Sequence, residues 1–385
     1  MERRTFLEDA VPLSAHLTEL RRRLHACPEI GFELPRTRAV ILEELARLRI
    51  ETAEVGNGSI VAQIGEKPAQ VLLRADMDGL PVKEETELPF ASSNGAMHAC
   101  GHDLHTAILL GAAALLKKQE KSLSRGVRLL FQPAEELLQG AADAVRAGVT
   151  EGIGKAYMLH GAVNTGRPAG TVFLPPAGVI APSADYFQLT VRGKGCHGAD
   201  PASGIDPLSA ACRILLGLQH LPSREFPPGG RAALTVGTLQ GGEAYNAIPD
   251  SARIRGSMRC FDEDFRNRLK ARIREISEGI SDAFRCGISV EFPAGCPSLQ
   301  NDAGLRKQAE EGLISSLGAE RVVVIDSPAQ GGGSEDFAEI SRAVPSLMLS
   351  LAAGDPGVPL HHPKVVFDEA CLPYGAAALA VLGAE

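Results

Sequence analysis

Hydrophobic and polar positions follow two different periods along the chain. Between residues 12 and 48, Leu13, Leu17, Leu20 and Leu24 recur at helical spacing, which predicts two helices on either side of Pro28. Further along, short apolar runs of strand length each end in polar residues and are followed by a helix or a turn; they are Val71–Asp76, Gly126–Gln132 and Lys155–Leu159. This alternation predicts an α/β domain with a mostly parallel sheet and a site along one edge of it.

The order of elements changes between residues 184 and 293. The pattern there predicts strands and helices in the order β-α-β-β-α-β, which is that of a ferredoxin-like α+β sandwich. These elements are Tyr186–Arg192, Ile205–Leu221, Arg231–Gln240, Ser251–Cys260, Glu263–Phe284 and Gly287–Phe292. After residue 293 helix and strand alternate again, so we expect a discontinuous domain, 1–183 and 294–385, with 184–293 inserted as a second domain.

Composition and charge narrow the function classes. The 385 residues are 44% hydrophobic and 22% charged, with a formal net charge of −8, and no basic block suggests a nucleic-acid partner. No apolar run is long enough to span a bilayer, and residues 1–9 lack the apolar core of a signal peptide. The eight cysteines are scattered without a Cys-x-x-Cys pair, which favours a cytoplasmic protein with reduced thiols.

The segment Met97–His105 concentrates metal-binding chemistry. It carries one thiol and three imidazoles within nine residues, and Cys100 and His102 are spaced so that both can reach one ion. The apolar run Thr106–Leu116 follows and predicts a buried helix, so the cluster lies where a loop enters a helix. Cys100 as a small buried hydrophobe, or as the nucleophile of a Cys/His hydrolase, is the alternative interpretation.

Other candidate residues follow the ends of the predicted strands. Asp76 and Asp78 close the first strand, Glu135 and Glu136 close the second, and His160 closes the third. On an extended backbone neighbouring glutamates point to opposite sides, so one can bind metal while the other faces the reacting water. The alternative is a pair of solvated glutamates at a helix N-terminus.

Six stretches, in order along almost the whole chain, form recognisable motifs. They are Arg21–Glu29, Arg74–Pro81, Met97–His105, Phe131–Glu136, Gly333–Phe337 and Phe367–Glu369. These motifs resemble the M20 metallopeptidase family, and specifically its amidohydrolase branch of hippurate hydrolases, N-acyl-amino-acid amidohydrolases and indole-acetyl-amino-acid hydrolases.

The resemblance implies a site with two divalent metal ions, zinc, manganese, cobalt or nickel. Its implied ligands are Cys100, His102, Glu136, His160 and His361. His361 is chosen because the family pattern is His-x-Pro, and His362 is the second candidate. Glu135 would be the general base and acid, and Asp78 would orient a liganding histidine, a role that Asp76 could share.

The implied reaction is hydrolysis of the amide of a small N-acyl-L-amino acid to a carboxylate and a free amino acid. A dipeptidase or carboxypeptidase of the same family, and a non-catalytic protein that binds metal or acyl-amino acids, are the alternatives. Binding alone does not require a carboxylate such as Glu135 beside the metals.

The inserted domain would by resemblance be a lid and a dimer surface. His197, Asn246 and Arg259 would help to hold the carbonyl oxygen or the carboxylate of the substrate; a surface histidine and an ion-paired arginine are the alternatives for His197 and Arg259. The segment Gly331–Ser334 lacks the lysine of a phosphate loop and is expected to be a turn near the metal site.

Overall fold

The computed structural model describes residues 5–226, 231–327 and 333–385. Ten α-helices occur in these ranges, and they are α1 Phe6–Ala10, α2 Ser14–His25, α3 Pro35–Arg47, α4 His102–Lys118, α5 Gly140–Arg146, α6 Pro207–His220, α7 Glu263–Ala283, α8 Ala303–Leu317, α9 Ala338–Ala343 and α10 Leu372–Ala384.

Sixteen strands occur in the same described ranges. They are β1 Thr52–Val55, β2 Ser59–Ile64, β3 Ala69–Asp76, β4 Gly126–Gln132, β5 Lys155–Ala162, β6 Val172–Leu174, β7 Gly178–Ala181, β8 Ser183–Arg192, β9 Cys196–His197, β10 Ala232–Gly241, β11 Ala247–Ile248, β12 Ser251–Cys260, β13 Gly287–Cys296, β14 Leu299–Asn301, β15 Val322–Val324 and β16 Ser346–Ala352.

The chain forms two compact units. The first comprises Met1–Ile180, Leu299–Gln330 and Asp336–Glu385, and the second comprises Ala181–Ser298 and Gly331–Glu335. The domain boundaries expected at 183/184 and 293/294 stay a prediction. Part of the turn predicted at Gly331–Ser334 lies outside the described residues.

An eight-stranded sheet in the order β1-β2-β4-β3-β5-β16-β6-β15 forms the centre of the first unit. Its four middle strands, β4, β3, β5 and β16, are parallel to their neighbours within that group. The predicted α/β class with a mostly parallel sheet is therefore confirmed. Because parallel strands end at the same edge, Asp76 pairs with Gln132 at the carboxyl ends of β3 and β4.

Helix α4 is a buried helix of this unit, and beyond its polar first turn it is apolar on every side as far as Leu116. Only Ala114 and the last two residues, Lys117 and Lys118, are partly or fully exposed. This is expected for a helix with neighbours on every side. Gly111 lies at a close approach, since a Cβ there would come within 2.8 Å of the Ala376 side chain on α10. The sequence indicated the apolar core of α4, and the structure begins the helix four residues earlier, at His102.

The second unit is built on an antiparallel sheet in the order β10-β12-β8-β13. Together with α6 and α7 its strands follow the predicted β-α-β-β-α-β order. Buried residues of both helices and of the central strands form one hydrophobic core, which includes Phe187, Ile214, Ile254 and Ile273. The predicted ferredoxin-like unit is therefore confirmed.

Several boundaries and short strands differ from the prediction. The helix predicted from Leu137 begins only at Gly140, because residues 135–138 form a turn. The short strands β6, β7, β9, β11 and β14 have no periodic pattern long enough to predict them. No helix in the described ranges is both long and apolar enough to cross a membrane.

Candidate metal centre

The segment that leads into α4 places two donor side chains at the edge of the large sheet. Gly101 adopts a φ of 89°, a left-handed conformation that glycine accepts without a Cβ clash, and α4 begins at the next residue. His102 is consequently fixed on the first turn of a buried helix. Cys100 lies just before that turn and is 8% exposed.

Backbone carbonyls orient the imidazoles of His102 and His160 in the same way. His102 Nδ1 lies 2.9 Å from the carbonyl oxygen of Asp78, and His160 Nδ1 lies 2.8 Å from that of Gly161. A carbonyl only accepts, so Nδ1 carries the proton in each ring and Nε2 is left as the coordinating atom. His160 Nε2 is 3.5 Å from Cys100 Sγ, and His102 Nε2 is buried without a hydrogen-bond partner among the described residues.

Glu135 and Glu136 lie in a turn, so the expectation that they point to opposite sides of an extended backbone is wrong. Ala134 before them has a φ of 57° and Leu138 after them a φ of 54°. Both carboxylates consequently approach the same ring: Glu135 Oε2 and Glu136 Oε1 each lie 3.9 Å from His102 Nε2.

Asp78 supports this turn. Its Oδ1 accepts the backbone N–H of Glu135 at 3.1 Å, and its Oδ2 accepts that of Glu136 at 3.2 Å. The shorter contact with His102 is made by the Asp78 backbone carbonyl, since Oδ1 lies 3.4 Å from the ring nitrogen. One buried residue therefore holds both the histidine and the glutamate pair.

The two candidate histidines near the C-terminus differ in their surroundings. His361 adopts a φ of 66°, its N–H donates to the carbonyl of Ala99, and its Nε2 lies 3.6 Å from Glu136 Oε1. His362 Nδ1 instead accepts the backbone N–H of Lys364. Of the two, only His361 joins a group of potential ligand atoms within the described residues.

The potential ligand atoms form overlapping groups whose members all lie within 4.8 Å of one another. These groups are Cys100–His102–His160, Cys100–Glu136–His361 and His102–Glu135–Glu136. Thiolate, imidazole and carboxylate together are a donor set for zinc and similar divalent ions. A buried imidazole nitrogen without a partner, surrounded by such donors, fits a bound metal ion.

Electrostatics at His102 also favour a positive charge. Burial opposes a charged imidazole, but Asp76, Asp78 and Cys100 outweigh it and raise the pKa of His102 well above its ordinary value. A bound cation would supply the charge that these groups favour.

The pair Cys100–His160 is not activated for nucleophilic attack. Burial raises the pKa of the Cys100 thiol, with Glu135 and Glu136 adding to the rise, while burial and the neighbouring His105 lower the pKa of His160 to about 3. With no cation bound, both shifts favour a protonated sulfur and a neutral imidazole. A cysteine nucleophile requires the opposite arrangement. A metal ion would displace the thiol proton and bind the thiolate.

A buried network that the sequence did not indicate lies behind these groups. Arg74 donates to Gln132, to Asp76 Oδ2 at 2.8 Å and to Asp336 Oδ1 at 2.7 Å. Asp336 also accepts from the backbone N–H of Ala141, at the start of α5. These partners are up to 262 residues apart in the chain, and no local pattern pairs them.

His197, Asn246 and Arg259 all belong to the second unit. His197 pairs with Ala247 between β9 and β11, and the carbonyl of Asn246 accepts the N–H of Gly198, so these two residues lie on adjacent exposed segments. Arg259 lies near the end of β12 with its guanidinium 5.8 Å from the ring centre of Tyr186. It forms no ion pair within the described ranges, which leaves its charge available.

Comparison with known proteins places the chain in a family. The model of Peptidase family M20/M25/M40 matches residues 72–384, a range that includes Asp78 and the potential ligands from Cys100 to His361. The chain therefore belongs to this family of metallopeptidases and amidohydrolases, as the motifs predicted.

Individual relatives are similar over almost the whole chain. An N-acetyl-L-cysteine deacetylase of Bacillus subtilis (strain 168) is 38% identical, over 94% of this chain and 85% of its own length. The IAA-amino acid hydrolase ILR1-like 4 of Arabidopsis thaliana is 37% identical, over 93% and 82%. The crystal structure of the Bacillus subtilis YXEP protein, described as a dinuclear metal-binding peptidase of family M20, is 32% identical with a TM-score of 0.78, covering 97% of this chain and 98% of that one.

Proposed function

We propose that this protein is a metal-dependent amidohydrolase that cleaves small N-acyl-L-amino acids to a carboxylate and a free amino acid. The observation that carries the proposal is the donor set described above, with the carboxylate of Glu135 beside it. Two of the relatives carry names of enzymes that act on acylated or conjugated amino acids, and a dinuclear peptidase shares the fold.

Five residues would hold two divalent ions, zinc, manganese, cobalt or nickel. They are Cys100, His102, Glu136, His160 and His361. The tautomers of His102 and His160, and the approach of His361 to Glu136, support this assignment. When bound, the ions polarise the scissile carbonyl and lower the pKa of the attacking water.

Glu135 would move the proton. Its Oε2 lies 3.9 Å from His102 Nε2, inside the donor set, and its Oε1 lies 3.4 Å from the backbone nitrogen of Asp336. A carboxylate held in this way can accept a proton from the attacking water and return it to the departing amine. Asp78 would keep Glu135 and Glu136 in place through their backbone N–H groups.

The second unit would bind substrate and join two copies of the chain. Arg259, which has no ion pair among the described residues, is suited to the carboxylate of an acyl-amino acid, and His197 and Asn246 would contact polar groups of the substrate. Within the described residues strand β10 is paired on one side only, and a second copy can cover such an edge. We propose a homodimer through this inserted domain, in a cytoplasmic protein whose eight cysteines remain free thiols.

The test is amine release from matched substrates. Protein stripped with a chelator is reconstituted with zinc, manganese, cobalt or nickel and given N-acetyl and N-benzoyl amino acids beside free dipeptides of the same residues. We expect turnover of the acylated set, lost on chelation and restored by metal. Turnover of the dipeptides alone would assign a peptidase, and metal binding with no turnover of either set would assign a binding protein.

A further inference from the structure

His105 is the third imidazole of the segment that contains Cys100 and His102, and no role has been assigned to it so far. It lies on the first turn of α4, it is 2% exposed, and its ring centre is 4.6 Å from that of His160. Its donor atoms fall within 4.8 Å of those of Asp76 and His102. Proximity alone would therefore make it a further ligand.

The hydrogen bonds of His105 indicate a different role. Its Nε2 accepts the backbone N–H of Gly161 at 2.7 Å, so this nitrogen carries no proton and its lone pair is already used. Its Nδ1 lies 2.6 Å from Asp76 Oδ1 and must be the atom that donates. Both ring nitrogens are occupied, which leaves neither for a metal.

Gly161 pairs with Leu351 of β16 on one side of β5, and His105 supplies the hydrogen-bond acceptor on the other side, where β3 no longer pairs. The ladder between β3 and β5 ends at the pair Arg74 and Met158, and Gly161 lies three residues beyond it on β5. A buried backbone N–H without a partner is costly, on the order of 1–3 kcal/mol. Its hydrogen bond to His105 fixes the peptide unit that joins His160 to Gly161.

The carbonyl of Gly161, in the next peptide unit, orients the ring of His160. It accepts from His160 Nδ1 at 2.8 Å, which turns Nε2 towards Cys100 Sγ. On the other side of His105, Asp76 accepts a hydrogen bond from Arg74 at 2.8 Å. It does so through Oδ2, while His105 contacts Oδ1. The contacts therefore run without a break from Arg74 through Asp76, His105 and Gly161 to His160.

We infer that His105 is a positioning residue that fixes the Gly161 backbone and thereby aims His160 Nε2 at the metal. The inference rests on the proposed metal site and requires nothing about the substrate. It concerns ligand geometry, so it is tested by metal binding independently of amide hydrolysis. Outer partners of this kind typically change metal affinity by about 10–100-fold.

The experiment measures zinc affinity with a competing chromophoric chelator, and the absorption spectrum of the cobalt-loaded protein, for a set of full-length variants. In His105→Ala we expect the number of ions bound at saturation to be unchanged, zinc affinity to fall by about 10–100-fold, and the cobalt bands to shift. His105→Gln supplies an amide oxygen and an amide N–H in place of the two ring nitrogens, and should recover part of the affinity. His220→Ala, on the exposed end of α6, is the matched control and should match the unaltered protein.

A double-mutant cycle separates positioning from general destabilisation. If His105 acts through His160, the effect of His105→Ala on zinc affinity should largely disappear in a His160→Ala background. Saturation of His105→Ala with one ion fewer would make His105 a ligand and overturn the inference. An unchanged affinity and cobalt spectrum, or an effect of equal size in both backgrounds, would also overturn it.

Discussion

The carboxylate of Asp78 accepts the backbone N–H of Glu135 at 3.1 Å, so the proposed general base is held by its main chain. The other Asp78 oxygen accepts the N–H of Glu136. A single fully buried carboxylate therefore fixes the turn that carries both glutamates. Asp78 should therefore affect the rate of the reaction through this turn, and that effect can be measured separately from any effect on the number of metal ions bound.

The first prediction concerns Asp78→Asn. An asparagine of the same shape presents an NH2 group to one of the two backbone N–H donors, which breaks that hydrogen bond and shifts the glutamate turn. We expect kcat to fall by about 10–100-fold with the same number of ions bound. Steady-state kinetics and metal analysis of the same preparation measure both quantities. Loss of an ion instead would show that Asp78 acts mainly on metal binding.

The second prediction is that Glu135→Gln keeps its metal and loses its activity. The amide retains the size of the side chain but cannot accept the proton of the attacking water. General acid–base catalysis of this kind contributes about 100–10,000-fold to the rate, and we expect kcat to fall within that range. Glu278→Gln, on an exposed position of α7, is the control and should retain full activity. An active Glu135→Gln enzyme would remove Glu135 from the mechanism.

The third prediction uses the adjacent pair His361 and His362. His361→Ala should lose one bound ion or bind it much more weakly, because the Nε2 of His361 faces Glu136. The loss of affinity should exceed the roughly 10–100-fold that is typical for residues that only support a ligand. His362→Ala removes only an acceptor for a neighbouring backbone N–H and should bind metal normally. Inductively coupled plasma mass spectrometry of both proteins gives the comparison. The reverse result would make His362 the ligand.

The sequence indicated which residues would lie near one another, because they occur in short motifs or at strand ends, and their role as ligands stays a prediction. Cys100 and His102 are two residues apart, and the carboxyl ends of parallel strands meet at one edge of the sheet. The contacts between these groups were less predictable. The left-handed Ala134, which places both glutamates on one side, has no sequence signal because alanine rarely adopts that conformation.

Long-range polar pairs were also absent from the prediction. Arg74 reads as one charged residue in an apolar strand, yet it is completely buried between Asp76 and Asp336. Hydrophobic periodicity identifies which face of an element is buried, and it contains no information about which distant charge meets a buried arginine. For the same reason the sequence pattern did not predict the hydrogen-bond partners of His105 and His25.

The last prediction concerns the pH dependence of stability at His25, on α2. Its Nδ1 lies 2.8 Å from Asp103 Oδ2 and its Nε2 lies 3.1 Å from Glu84 Oε1, and all three side chains are buried. Burial and the neighbouring Arg21 oppose the imidazolium, but the two carboxylates outweigh them and raise the pKa of His25 above its ordinary value of 6.5. A group with a raised native pKa stabilises the fold fully below its unfolded pKa, and that contribution is lost as the pH rises through the native value.

We therefore expect the free energy of unfolding to differ most between the unaltered protein and His25→Gln near pH 6. The difference should be no larger than about 3–5 kcal/mol, because Arg21 still pairs with Asp103, and it should narrow as the pH rises towards 9. Urea unfolding of chelator-treated protein measures it without a contribution from metal binding. His220→Gln, an exposed histidine, should show no difference at any pH. A gap for His25→Gln that stays constant from pH 6 to 9 would mean that His25 is neutral in the native state, held by its hydrogen bonds alone.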